Sequence, residues 1–83
     1  MEKNKKTIKI DLLDKFREMG PEADNTLPRG WLRKDYIARL NSHERKIFDK
    51  AIGELVSSGL VEYSPGFFPK VQLTLKGEHL IHV

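Results

Sequence analysis

The sequence predicts an α+β domain in which a three-helix core is followed by a β-hairpin and a short C-terminal helix or turn. Three observations carry this. Apolar residues recur at helical spacing from Ile8 to Val56, the period changes to alternation after Gly59, and 83 residues leave room for one core. A chain of this length buries only about 60 to 65% of the surface its extended form exposes, so nearly every apolar residue has to contribute.

Residues 1–6 are polar and charged and read as a flexible basic tail, leaving 7–83 as a single domain. Thr7 is placed to cap the first helix. Within it Ile8, Leu12, Phe16 and Met19 recur at spacings of four, four and three, and Leu13 widens the buried stripe. Gly20-Pro21 should end it, because glycine tolerates the post-helical backbone and proline cannot continue a helix. The stretch from Glu22 to Arg29 reads as a loop, and Leu27 or Trp31 is a candidate for a short edge strand.

The second helix is short, from about Leu32 to Leu40, with Leu32, Tyr36, Ile37 and Leu40 on one side. A tight turn follows. Asn41 caps the third helix and Glu44, three residues later, closes a capping box. Ile47, Phe48, Ala51, Ile52, Leu55 and Val56 form its inward side, and Ser57-Ser58-Gly59 ends it with glycine at the left-handed position. Leu60 to Tyr63 then reads as a strand and Ser64-Pro65-Gly66 as a turn. Val71, Leu73 and Leu75 alternate with Gln72 and Thr74 as a half-buried returning strand should. Lys76 to Ile81 closes the chain and should return Leu80 and Ile81 to the core.

The run Ala51-Ile52-Gly53-Glu54-Leu55-Val56-Ser57-Ser58-Gly59-Leu60-Val61-Glu62-Tyr63, with Leu73-Thr74-Leu75-Lys76-Gly77 after it, resembles the winged helix-turn-helix families of bacterial and archaeal transcription regulators. Leu73, Thr74 and Gly77 match the leucine, threonine, any, any, glycine ending that closes the wing in many of them. The resemblance covers roughly residues 32 to 82. It implies a winged-helix fold, with the third helix as recognition helix and the hairpin as wing. The start of that helix, Asn41 to Lys46, departs from the serine- and threonine-rich openings common among such regulators, and places Glu44 where it would repel phosphate.

Charge is unevenly placed. The first nine residues hold the whole formal excess of +3, residues 10–83 are balanced, residues 11–28 are net −3, and residues 29–50 form a +4 block. The electrostatic footprint should lie on that block and the tail. At 100° per residue the outward side of the third helix carries Lys46, Asp49, Lys50, Gly53 and Ser57, with Arg45 at its border. This surface suits a major groove; the competing reading is a solvated face.

Double-stranded DNA is therefore the expected partner, and a small transcriptional regulator the expected function. The candidate nucleic-acid-binding residues are Arg33, Lys34, Ser42, Arg45, Lys46, Lys50 and Lys70. Phe67 and Phe68 at the hairpin tip are candidate wing or interface residues, with one exposed and the other folded back. They also carry the alternative function, a protein-interaction module on the same scaffold. Trp31 reads as a lid on the core. Ile10 and Leu13 lie at or beyond the edge of the first helix's stripe, so that helix and the segment from Gly77 to Val83 are candidate homodimer surfaces; the alternative is that they merely widen the core face.

Other functional classes find little support. No cysteine is present, which removes disulfides and thiolate chemistry and points to a cytoplasmic protein. His79 and His82 lack a completing ligand set, so neither metal nor other cofactor is expected. No glycine-rich phosphate loop, His-Glu-x-x-His pair or nucleophile elbow occurs, and catalysis is not expected. No apolar run reaches the roughly 18 residues of a membrane helix, and the lysine-rich start lacks a signal peptide's apolar stretch.

Overall fold

A computed structural model describes residues 2–20 and 25–81. Pro21, residues 22–24 of the expected loop, and His82 and Val83 lie outside the described residues. The chain is α+β: helices α1 (Lys5–Met19), α2 (Ser42–Ser57) and α3 (Leu75–Ile81), a π-helical segment Trp31–Tyr36 continued by a 3₁₀ turn Ile37–Arg39, and an antiparallel hairpin of β1 (Val61–Ser64) and β2 (Lys70–Leu73). This layout is compatible with a small winged-helix arrangement.

Helix α1 starts two residues before the expected cap. The Asn4 side chain, in extended backbone, accepts the Thr7 N–H at 2.8 Å, so Asn4 rather than Thr7 caps the helix. Ile8, Leu12 and Phe16 are its buried stripe. Gly20 ends it at φ 83°, its N–H shared between the carbonyls of Phe16 and Arg17. Within residues 2–6, the Lys3 backbone N–H donates to Glu44 Oε2 at 2.8 Å, Lys3 Nζ reaches Asp11 at 2.8 Å, and Lys5 pairs with Glu54.

Before the second helix, Leu27 donates to the Val71 carbonyl (3.0 Å) and Leu73 donates to that of Asn25 (2.7 Å), so residues 25–27 flank β2 on the edge opposite β1. Leu27 is the edge residue and is fully buried; Trp31 belongs to the helix instead.

The second helix departs from the expected α geometry. The Ile37 N–H is shared between the carbonyls of Arg33 and Leu32, the latter an i to i−5 bond. In an α-helix, residues five apart are about 140° apart around the axis. The wider turn brings them to one side, where Trp31 stacks on Tyr36 with centroids 5.3 Å apart and planes at 29°. Leu32, Tyr36 and Leu40 are buried, and Trp31 and Ile37 pack on the core's edge.

Asn41 closes both halves of the capping box on α2: the Glu44 N–H donates to Asn41 Oδ1 (2.8 Å) and the Asn41 N–H donates to Glu44 Oε1 (3.0 Å). Phe48, Ala51, Ile52 and Leu55 are buried, whereas Val56, expected inward, is exposed at the stripe's margin. The helix ends in a Schellman motif. Leu60 N–H donates to the Leu55 carbonyl, Gly59 N–H to that of Val56, and Gly59 sits at φ 77°. Because Leu60 completes that motif, the strand begins at Val61.

The hairpin register pairs Val61 with Leu73 and Tyr63 with Val71, placing buried Val61, Val71 and Leu73 on the core face. Leu75 does not continue this alternation. Thr74 Oγ1 donates to the Gly59 carbonyl (2.5 Å) and accepts the Gly77 N–H (3.1 Å), turning the chain into α3 and leaving Leu75 75% exposed. Gly77 is buried so tightly that an added Cβ would lie 2.3 Å from the Leu60 carbonyl oxygen and 2.6 Å from Leu73 Cδ1. The threonine and glycine of this ending therefore have separate physical tasks, one capping a helix and one allowing it to touch the strand. Ile81 packs against the core, but Leu80 is exposed.

Candidate nucleic-acid interface

The Asn41 capping box fixes the start of α2, and the burial of Phe48, Ala51, Ile52 and Leu55 fixes its rotation. Ser42, Arg45, Lys46 and Lys50 are consequently exposed on it, and Lys34 is exposed on the second helix. Lys70 is half-buried at the start of β2, opposite Ser64.

Arg33 is held by the wing. Its guanidinium carbon lies 3.7 Å from the ring centroid of Phe67 and 4.8 Å from that of Phe68, a close cation–π arrangement. The two phenyl rings meet edge to face, centroids 4.9 Å apart and planes at 89°. Both stay in solvent, Phe67 72% and Phe68 53% exposed, so the expectation that one folds over the core is corrected. Arg33 supports the pair from below without burying it. Gly66 at φ 146° makes the turn that sets them there.

Arg33 and Arg45 converge on an open groove of about 430 Å³ between the second helix, α2 and the hairpin, walled by Phe48, Tyr63 and Phe67 with Asp49 at its side. Burial, with a smaller contribution from the Asp49 carboxylate, raises the Tyr63 phenol above its usual range. Lys46 and Lys50 lie outside the groove, on the side of α2 away from the core.

Ion pairing divides the cations into two populations. Lys3 pairs with Asp11, Lys5 and Lys9 with Glu54, Lys15 with Glu18 and Arg17 with Asp14, so most bases of the N-terminal stretch and α1 already face a carboxylate. None of Arg29, Arg33, Lys34, Arg39, Arg45, Lys46 and Lys50 has such a partner among the described residues. Lys5 and Lys9 hold the Glu54 carboxyl below its ordinary range by hydrogen bonding. Lys3 and Lys5 of the tail thus face carboxylates, whereas the lysines and arginines of the middle block do not among the described residues.

Glu44 corrects a second expectation. Its carboxylate turns back into the capping box and accepts the N–H groups of Asn41 and Lys3, leaving the residue only 8% exposed. Those two bonds, first Asn41 and then Lys3, lower its carboxyl pKa. It joins the N-terminal segment to α2 instead of facing outward. Glu2 lies nearby, accepting from Asn41 Nδ2 at 3.2 Å. The box was legible in the sequence; the second donor, 41 residues away, carried no local signal.

Another concavity, about 300 Å³, lies where α1 meets the second helix. Its charges are matched internally: Asp11 accepts from Lys3 Nζ (2.8 Å) and the Tyr36 hydroxyl (2.7 Å), and Lys15 Nζ sits 5.2 Å from the Trp31 ring. Burial first, then the Asp11 carboxylate, pushes the Tyr36 phenol far above its usual range. This is a packed, satisfied joint, consistent with Trp31 lying over the core edge.

No family model, curated protein or solved structure matches the chain. His79 is exposed on α3, and its expected neighbour His82 lies outside the described residues. No helix among the described residues is long and apolar enough to cross a membrane.

Proposed function

We propose that this chain is a winged helix-turn-helix protein that binds double-stranded DNA, with α2 entering the major groove and the wing from Ser64 to Lys70 beside the backbone. The reading is supported above all by the lysines and arginines of residues 29–50, which lack carboxylate partners among the described residues while most of those of α1 have them. A surface whose bases are already neutralised releases few counterions from DNA; one whose bases are free releases one for nearly every phosphate it meets. Arg45, Lys46 and Lys50 offer contacts from α2, and Lys34 from the second helix, as the first helix of such a motif commonly does. The small Gly53 on the same outward side permits close approach. Regulation of transcription in the cytoplasm is the role this binding would serve.

The direct experiment is anisotropy of a labelled random duplex at about 0.1 M salt with wild type and Lys46→Glu/Lys50→Glu. Reversing two charges at the centre of the contact should remove detectable binding, while circular dichroism stays native because both side chains are exposed. Equal affinity of the two proteins would reject α2 as the DNA-contacting element. The exposed Phe67–Phe68 pair favours a second reading, a protein-interaction module with the wing as anchor. That reading expects no DNA binding by wild type under the same conditions.

A further inference from the structure

The wing tip and its groove have features that gripping a duplex backbone does not require. Two adjacent phenyl rings project into solvent, although exposing them forgoes burial that a small domain can ill do without. They are not loose: Arg33 lies 3.7 Å from the Phe67 centroid and Phe68 meets Phe67 edge-on. With Arg33 against one face and an exposure of 72%, Phe67 keeps open ring surface for a further flat group. The adjoining groove, about 430 Å³, falls within the range of about 300–1,000 Å³ typical of sites for small organic groups.

We propose that this groove holds one unpaired nucleobase stacked on Phe67, with its phosphate between Arg33 and Arg45. The inference rests on the nucleic-acid reading above and names the form of DNA preferred: a duplex with an overhang, bulge or fork at the wing. Every base has a π-face, so stacking on an exposed phenyl ring is tolerant of sequence. The charge fits as well. Two guanidiniums without carboxylate partners among the described residues face one carboxylate, Asp49, leaving the groove positive. From Arg45, Lys46 and Lys50 continue along exposed α2 away from the groove, which suits a polyanion running into it better than a single acidic side chain.

The test uses three probes with wild type, Phe67→Ala, Arg33→Lys and Lys46→Glu/Lys50→Glu. They are a blunt duplex, the same duplex with a three-nucleotide overhang, and a single-stranded pentanucleotide carrying 2-aminopurine. Wild type should prefer the overhang duplex by about tenfold, the scale of one base–aromatic stack, and should quench the 2-aminopurine. Phe67→Ala should lose the preference and the quenching, its affinities for the blunt and overhang duplexes becoming equal, with its fold intact because the ring is exposed. Arg33→Lys keeps the charge but loses the planar partner of Phe67, so it should weaken both signals.

Pentanucleotide quenching that survives in Lys46→Glu/Lys50→Glu supports the groove independently of duplex binding. Even if no protein binds blunt duplex, quenching that is lost in Phe67→Ala and weakened in Arg33→Lys but kept in Lys46→Glu/Lys50→Glu sustains the inference while defeating the major-groove reading. Equal affinity of wild type for blunt and overhang duplexes, with no quenching, overturns the inference whatever the blunt duplex shows. So does saturable binding of an acidic aromatic peptide that depends on Phe67, in the absence of any oligonucleotide signal, because it assigns the groove to a protein ligand.

Discussion

The segregation of cations makes a quantitative claim about salt. On α2, Arg45, Lys46 and Lys50 are without carboxylate partners among the described residues, and Arg33 and Lys34 on the second helix bring the number to five. At about 0.9 counterions per neutralised phosphate, three to five contacts correspond to a slope of log affinity against log salt of about −2.7 to −4.5. Between 50 and 200 mM salt, affinity for random duplex should then fall by about 40- to 500-fold. Removing a single contributing base, as in Lys50→Ala, should flatten the slope by about 0.9 and weaken all sequences alike. The contrast comes from the other population. Lys5→Ala and Lys9→Ala should change the slope by less than about half a unit, because both bases already share Glu54. Anisotropy titrations of wild type and the three variants over that salt range measure all of this. A slope that responds to Lys5 and Lys9 as strongly as to Lys50 would refute the argument, since it would mean that ion pairing on α1 does not withhold those charges from DNA.

Three further outcomes follow from the fold. Gly77→Ala should lower stability by about 1–3 kcal/mol, because its Cβ would meet the Leu60 carbonyl oxygen at 2.3 Å. In thermal denaturation that is a fall of roughly 5 to 20 °C, and a rise, the expectation for an ordinary helix interior, would contradict it. On the acid side, Glu44 and Glu54 titrate below their ordinary range when folded. Their contribution is therefore whole above about pH 4.3, the free carboxyl value, and is lost as pH falls through the lower folded values. Melting curves from pH 7 to 3 should show the fall for wild type and a shallower one for Glu44→Gln/Glu54→Gln. On the alkaline side, Tyr36 and Tyr63 are raised, so their stabilisation is whole below about pH 10 and declines above it. Absorbance titration should find neither phenol ionising at its ordinary value until the protein unfolds.

Much of the architecture was legible because it is written locally. The capping box at Asn41 and Glu44, the glycine of the Schellman motif and the alternation of Val71 and Leu73 are patterns within a few residues. Each has a geometric cause that the structure repeats. The π-turn at Trp31 was not legible, since its benefit is one aromatic stack that an α-helical period cannot reveal. The end of β2 was misjudged for a related reason. Leu75 continues the alternation, but Thr74 bonds to Gly59, fifteen residues earlier, and that contact takes the chain out of the sheet.

The candidate site divides along the same line. Exposed Arg45, Lys46 and Lys50 could be placed by counting along one helix, whereas the state of a charge depends on what lies across from it. A run of lysines at the N-terminus reads as a free basic arm until Asp11 and Glu54 are found against it. Arg33 reads as an ordinary surface base until Phe67 and Phe68, more than thirty residues on, are found over it. The Glu54 and Phe67 contacts join α1 and the second helix to elements more than thirty residues away, and they act in opposite directions. The first withdraws charge from the surface, while the second leaves a guanidinium without a carboxylate and sets it beside an aromatic face. What distinguishes the α2 and wing side from α1 is therefore that its lysines and arginines lack local neutralisation among the described residues, whereas most of those on α1 have it. Moving a carboxylate to that side should weaken polyanion binding even if no cation is removed. Ala38→Glu is the cleanest such change, because Ala38 is exposed and lines the groove between Arg33 and Arg45. It should lower affinity for the overhang duplex more than for the blunt one while leaving the fold intact by circular dichroism. Equal losses on the two duplexes would show that the groove contributes only general charge.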